Sequence, residues 1–243
     1  MLVSNVEELT GFHCCSLYSA LFSLINWQQE GVYMFGASIG RGAMRIINAM
    51  VRWLAFGGIN PNILTVIGVT INVGCGVLFG MGEFFWAGIV LIVANLFDML
   101  DGNVARLSGR VTPFGGFLDS SLDRLSDMVS FLGIIIFYAS NTPHHSLLNV
   151  MLAGVGLIGS VMVSYATARS EGFGVKANVG FLQRPERIVL LIIGALSTFP
   201  NSDSFFANRM PQVLWVLAIA SLWTFIHRMF YIWKELRQTE AKI

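Results

Sequence analysis

From Leu54 to Gly82 the chain runs without a single Asp, Glu, Lys or Arg. A helix of about 20 residues crosses the ~30 Å hydrocarbon core of a bilayer, so this run reads as a membrane span. Further charge-free runs cover Phe84–Phe97, Met128–Ala168, Ile188–Phe199 and Met210–His227. The third is long enough for two helices, and the Pro-containing segment Asn141–His145 is the break between them. Only 12% of the residues are charged and 55% are hydrophobic. A soluble domain carries about 25% charged residues, and a disordered chain is poor in apolar ones. Both classes are excluded, which leaves an all-α polytopic membrane protein. Six transmembrane helices are expected, over 61–82, 84–108, 113–139, 147–171, 185–200 and 210–233.

The basic residues orient these spans. Arg41, Arg45 and Arg52 precede the first; Arg106 and Arg110 join the second to the third. Arg169, Lys176, Arg184 and Arg187 surround the loop between the fourth and fifth, and Arg228, Lys234, Arg237 and Lys242 close the chain. Six spans put all of these on one face, with Arg209 alone opposite, and the positive-inside rule makes that face cytoplasmic. Both termini are then cytoplasmic, and the chain belongs in the cytoplasmic membrane. Residues 38–56 carry an apolar stripe opposite Arg41, Arg45 and Arg52, the pattern of a helix lying in the interface. The domain reading is therefore an N-terminal extension over 1–37 of unassigned role, an interfacial amphipathic helix over 38–56, a six-helix membrane domain over 57–235 and a tail over 236–243. Cys14, Cys15 and Cys75 have no metal-ligand or disulfide spacing and read as free thiols.

Asp98, Asp101, Asp119, Asp123 and Asp127 account for five of the 14 acids and fall where the second and third spans approach their connecting loop. Charge at membrane depth is costly and needs a partner or a cavity. Asp98 and Asp101 are three residues apart and share a helix face; Asp119, Asp123 and Asp127 follow at intervals of four on another. Carboxylates crowded in this way repel unless cations intervene. Oxygen-only ligands select Mg²⁺ or Mn²⁺, and two such ions bridged by carboxylates serve in-line displacement at phosphorus. Gly102 allows close approach to the helix backbone, Gly115 and Gly116 do the same at the start of the third helix, and Arg106 is placed to hold a phosphate. A salt-bridge network with Arg106, Arg110 and Arg124 is the structural alternative.

The stretch Asp98-Met-Leu-Asp101-Gly102-Asn-Val-Ala105-Arg106, eight residues, then Gly115-Gly-Phe-Leu-Asp119-Ser-Ser-Leu-Asp123 resembles the signature of the CDP-alcohol phosphotransferases, DxxDGxxAR followed by GxxxDxxxD. All eight defining positions match at the family's intervals. The resemblance implies a six-helix core over roughly 38–235. It also implies an enzyme that transfers a substituted phosphate from a CDP-linked donor, CDP-diacylglycerol in bacteria, to a polar alcohol with release of CMP. By carry-over, Asp98, Asp101, Asp119 and Asp123 would hold two metal ions, and Asp123 would be the general base. Gly102, Ala105, Arg106 and Thr112 would contact the cytidine diphosphate.

The strings around Asp119–Asp127, Tyr165–Gly172 and Gly180–Arg187 resemble the bacterial phosphatidylinositol-phosphate synthases. That resemblance implies an inositol phosphate as acceptor, its phosphate held by Arg169, Arg187 and Arg228, with Arg184 a further basic candidate. Thr167 stands where those synthases commonly have Lys, so glycerol 3-phosphate or another polar alcohol remains open as acceptor. The alternative from another class is a non-catalytic, ion-conducting membrane protein. The family resemblance also implies a homodimer, for which Gly154, Gly156, Gly159 and Ser160 offer a small-residue face. Nothing in the sequence points to nucleic acid.

Overall fold

The computed structural model describes residues 50–54, 56, 60–177, 179–198 and 208–240. The N-terminal extension 1–37 and most of the expected interfacial helix lie outside the described residues; 50–54 and 56 are helical. The chain divides into Met1–Leu54 and Ala55–Ile243, and the second unit carries six helices among its described residues. They are α1 (Pro61–Met81), α2 (Phe84–Leu107), α3 (Pro113–Ala139), α4 (Leu147–Glu171), α5 (Arg184–Leu196) and α6 (Met210–Glu240). The described residues contain no strand.

Local sequence chemistry sets these boundaries. The Asn60 side chain accepts from the Asn62 amide, with Pro61 at the first helical position. Thr112 and Pro113 repeat the device at α3, where the Thr112 hydroxyl accepts from the Gly115 amide at 3.0 Å. Gly82, at φ 86°, closes α1 in the left-handed conformation. Helix α6 continues to Glu240, past the expected end of the last span, because Lys234-Glu-Leu-Arg-Gln238 contains no helix breaker.

Helices α1, α2, α4 and α6 are long and apolar enough to cross a membrane, and the outward faces carry exposed Ile63, Val73, Trp86, Ile158 and Trp223. The chain is an integral membrane protein. Helix α3 departs from that pattern through Asp119, Asp123, Arg124 and Asp127. Helix α5, at 13 residues, spans only about 20 Å.

Packing closes the six helices into a ring in the order α1, α2, α5, α6, α4, α3 and back to α1. The two aspartate-bearing helices, α2 and α3, thus each pack chiefly against α1. Close contacts rest on small residues, as bilayer packing requires. A Cβ on Gly133 of α3 would overlap the carbonyl oxygen of Gly76 of α1. The small face of α4 is used within the chain: Gly156 faces Phe131 and Ala218, Gly159 faces Ser221, and the Ser160 hydroxyl donates to Asp127. Gly154 alone of the four neither meets a neighbour nor bonds one. Cys75 is a buried free thiol that donates to the Ala87 carbonyl, in keeping with its expected role.

Candidate active site

The five-residue turn 108–112 between α2 and α3 brings their aspartate faces to the same end of the ring. Gly109, at φ 65°, supplies the reversal. One carboxylate oxygen each from Asp98, Asp119 and Asp123 lie within 4.8 Å of one another. Asp101 sits beside them, only 3% exposed, and its Oδ2 is buried without a hydrogen-bond partner.

The counter-charge comes from α5, not from Arg106 or Arg124. Those two donate to backbone carbonyls of their own helices, Gly102 and Ser120. Arg184 Nη1 instead lies 3.0 Å from Asp98 Oδ2 and 2.5 Å from Asp123 Oδ2, and its Nε is 3.9 Å from Asp127 Oδ1. Arg187, one turn on, reaches Asp127 Oδ2 at 3.2 Å and donates to the Ser160 carbonyl. Two guanidinium groups against five carboxylates leave the cluster net anionic. An oxygen-only donor set with a buried, unsatisfied carboxylate oxygen fits a divalent cation.

Beside the cluster lies a pocket of about 290 Å³ between α1, α2 and α3. Asp101 and Asp119 line it on the cluster side, with Gly102, Ala105, Arg106 and Thr112 among its other walls. All of the residues assigned to the nucleotide on sequence grounds are therefore in one cavity. Asn62 and Thr65 of α1 also line it, and the sequence reading did not single them out. Their signal was available: two polar side chains three apart at the start of an apolar helix share one face. Thr112 serves twice, as pocket wall and as helix cap. Thr112→Val is expected to lower the stability of the detergent-solubilised protein by about 1 kcal/mol, and Thr112→Ser to leave it unchanged, as read by thermal unfolding.

The three arginines assigned to the acceptor have different surroundings. Arg187 is 2% exposed and tied to the carboxylates through Asp127. Arg228 is buried; its guanidinium donates to the carbonyls of Val163 and Val179 and to the Thr167 hydroxyl, fastening α6 to α4 and to the segment before α5. Arg169 is exposed and stands 4.8 Å from the centroid of the Phe173 ring.

The carboxylate cluster thus opens onto a pocket lined by the glycine and arginine of the same motif. Residues 59–233 match the model of one family, CDP-alcohol phosphatidyltransferase. The chain belongs to that family. Among curated relatives, the phosphatidylinositol phosphate synthase of Mycobacterium tuberculosis is 36% identical over 194 residues, 78% of this chain and 86% of the relative. The archaetidylinositol phosphate synthase of Methanothermobacter thermautotrophicus is 36% identical over 174 residues, 72% of this chain and 83% of that one. Two solved structures of the Mycobacterium tuberculosis phosphatidylinositol phosphate synthase superpose on this chain at 34% identity. One has CDP-DAG bound, with a TM-score of 0.71 over 78% of this chain and 94% of that one. The other is in complex with manganese and citrate, with a TM-score of 0.70 over 77% and 88%.

Proposed function

We propose that the protein transfers the phosphatidyl group of CDP-diacylglycerol to an inositol phosphate and releases CMP. The observation that carries this reading is the position of Asp119, which belongs to the carboxylate cluster and lines the pocket. A diphosphate held in that pocket by Arg106 would meet the cluster at its phosphorus atoms. Asp98, Asp101, Asp119 and Asp123 would hold two divalent ions, Mg²⁺ or Mn²⁺. Bound there, such ions neutralise diphosphate charge and stabilise the leaving phosphate.

The protein's own groups complete the chemistry. Gly102 and Ala105 leave room for the nucleotide. Arg106 and the Thr112 hydroxyl contact its polar groups. Asp123 takes the proton of the attacking hydroxyl as that oxygen bonds to the phosphorus carrying the diacylglycerol. The bond from that phosphorus to the bridging diphosphate oxygen breaks, and CMP departs with the electron pair. Arg169, Arg187 and Arg228 supply positive charge for the acceptor's own phosphate. The acceptor identity rests on the similarity to the two synthases named above, one of phosphatidylinositol phosphate and one of archaetidylinositol phosphate.

The six helices are read as six spans, with both termini and the site at the cytoplasmic face of the cytoplasmic membrane, following the basic residues. Residues 38–56 are read as the interfacial helix before a core over 57–235, with 1–37 as an extension and 236–243 as a tail. A homodimer would have to use a face other than the α4 glycine stripe, three of whose four residues are engaged inside the chain.

Purified protein with Mg²⁺ and CDP-diacylglycerol is expected to release CMP when an inositol phosphate is added. Release with glycerol 3-phosphate and not with an inositol phosphate would favour the second acceptor, for which the neutral Thr167 beside Arg228 speaks. No CMP with any acceptor would overturn the enzymatic reading.

A further inference from the structure

Resting on that reading, we infer that Arg184 is the exchangeable cation of the carboxylate centre: its guanidinium and the divalent ion compete for the same oxygens of Asp98 and Asp123, so Arg184 sets how tightly the protein holds metal. The geometry is specific. One nitrogen, Nη1, bridges Asp98 Oδ2 and Asp123 Oδ2, joining carboxylates from different helices. Asp98 and Asp123 both belong to the group of three whose oxygens lie together. A hard divalent ion needs carboxylate oxygens at about 2.0–2.6 Å. An oxygen in that position cannot also keep a guanidinium nitrogen close without bringing two cations into contact.

Arg184 also has somewhere to go. Its Nε is a buried donor without a hydrogen-bond partner. Asp127 Oδ1, 3.9 Å from that nitrogen, lies outside the group of three. A small rotation of the guanidinium exchanges Asp98 and Asp123 for Asp127. Asp127 is in turn fixed by Arg187 and Ser160, so it is a stationary partner. This gives a role to the one aspartate of the five that the family signature does not include. It positions Arg184 and does not touch the reacting atoms.

When binding requires a competing internal contact to open, the measured dissociation constant exceeds the intrinsic one by the inverse of the open fraction. Removing the competitor therefore tightens binding. Arg184→Gln is expected to bind Mn²⁺ about tenfold more tightly than the parent, measured by electron paramagnetic resonance titration of protein in lipid nanodiscs. Arg184→Lys, which keeps the charge but loses the planar fork, should fall between the two. Unfolding in chelator should occur at lower temperature for Arg184→Gln than for the parent, with the gap closing at saturating Mn²⁺. Unchanged or weaker Mn²⁺ binding by Arg184→Gln would overturn the inference, since the arginine would then be indifferent to the metal or arrange the carboxylates for it. If Arg184→Gln does not fold, Arg184→Lys decides by the same titration: tighter binding supports competition, equal or weaker binding refutes it. CMP release by the parent protein tests the enzymatic reading separately and does not depend on either variant.

Discussion

Asp123→Asn is expected to lower CMP release at least about a thousandfold while CDP-diacylglycerol still binds within a few-fold of the parent. Asparagine keeps the shape of the side chain and one carbonyl oxygen but loses the charge and the capacity to take a proton. General-base groups contribute factors of about 10² to 10⁴, and Asp123 additionally supplies a carboxylate to the cluster, which places the loss toward the upper end. Binding should survive because the pocket is lined by Asp101, Gly102, Arg106 and Asp119, with Asp123 outside it. The two halves are read separately, turnover by CMP release and binding by calorimetry with the lipid nucleotide. If binding disappears together with turnover, Asp123 acts chiefly in holding the metal that secures the diphosphate, and the general-base role falls.

The helices were legible in the sequence because the bilayer imposes long charge-free runs, and capping residues such as Asn60 and Thr112 mark where they begin. The candidate site was legible for a related reason. Aspartates are scarce in an apolar helix, so the spacing of Asp98, Asp101, Asp119 and Asp123 stands out against it. What spacing along one chain cannot give is the partner from elsewhere. Arg184, 61 residues beyond Asp123, is a basic candidate for the acceptor on sequence grounds, but no spacing shows that its guanidinium lies on the carboxylates themselves. Likewise, Arg228 carries no local sign that its donors go to Val163, Val179 and Thr167. The ring order was hidden too. A five-residue turn suggests that α2 and α3 pack closely on each other, but each packs chiefly against α1, and the pocket lies among the three.

That arrangement depends on how closely α1 can approach α3, and Gly133→Ala is expected to disrupt it. A Cβ at Gly133 would overlap the Gly76 carbonyl oxygen and lie 2.9 Å from the Gly76 carbonyl carbon. From the other side, a Cβ at Gly76 would stand 2.7 Å from the Val129 carbonyl oxygen. The obstructing atoms include backbone on both sides, so no change of rotamer relieves the contact and the helices must separate. Without a hydrophobic effect to hold helices together in lipid, separation forfeits packing directly. The loss should be about 3 kcal/mol, the upper part of the range for an overpacked core. The pocket should suffer with it. Gly133 lies about 20 Å along α3 from Asp119, and the α1 wall carrying Asn62 and Thr65 belongs to the helix that packs against α2 and α3. The folded fraction should therefore bind CDP-diacylglycerol more weakly, although no substituted atom is near the nucleotide. Gly74→Ala is the control. It is on α1, two residues from Gly76, with nothing within 4 Å of the added carbon, so it should gain up to about 1 kcal/mol from helix propensity. Thermal unfolding in detergent with and without CDP-diacylglycerol distinguishes the two variants. Equal stability of Gly133→Ala and the parent would mean that α1 and α3 do not meet backbone to backbone at this crossing.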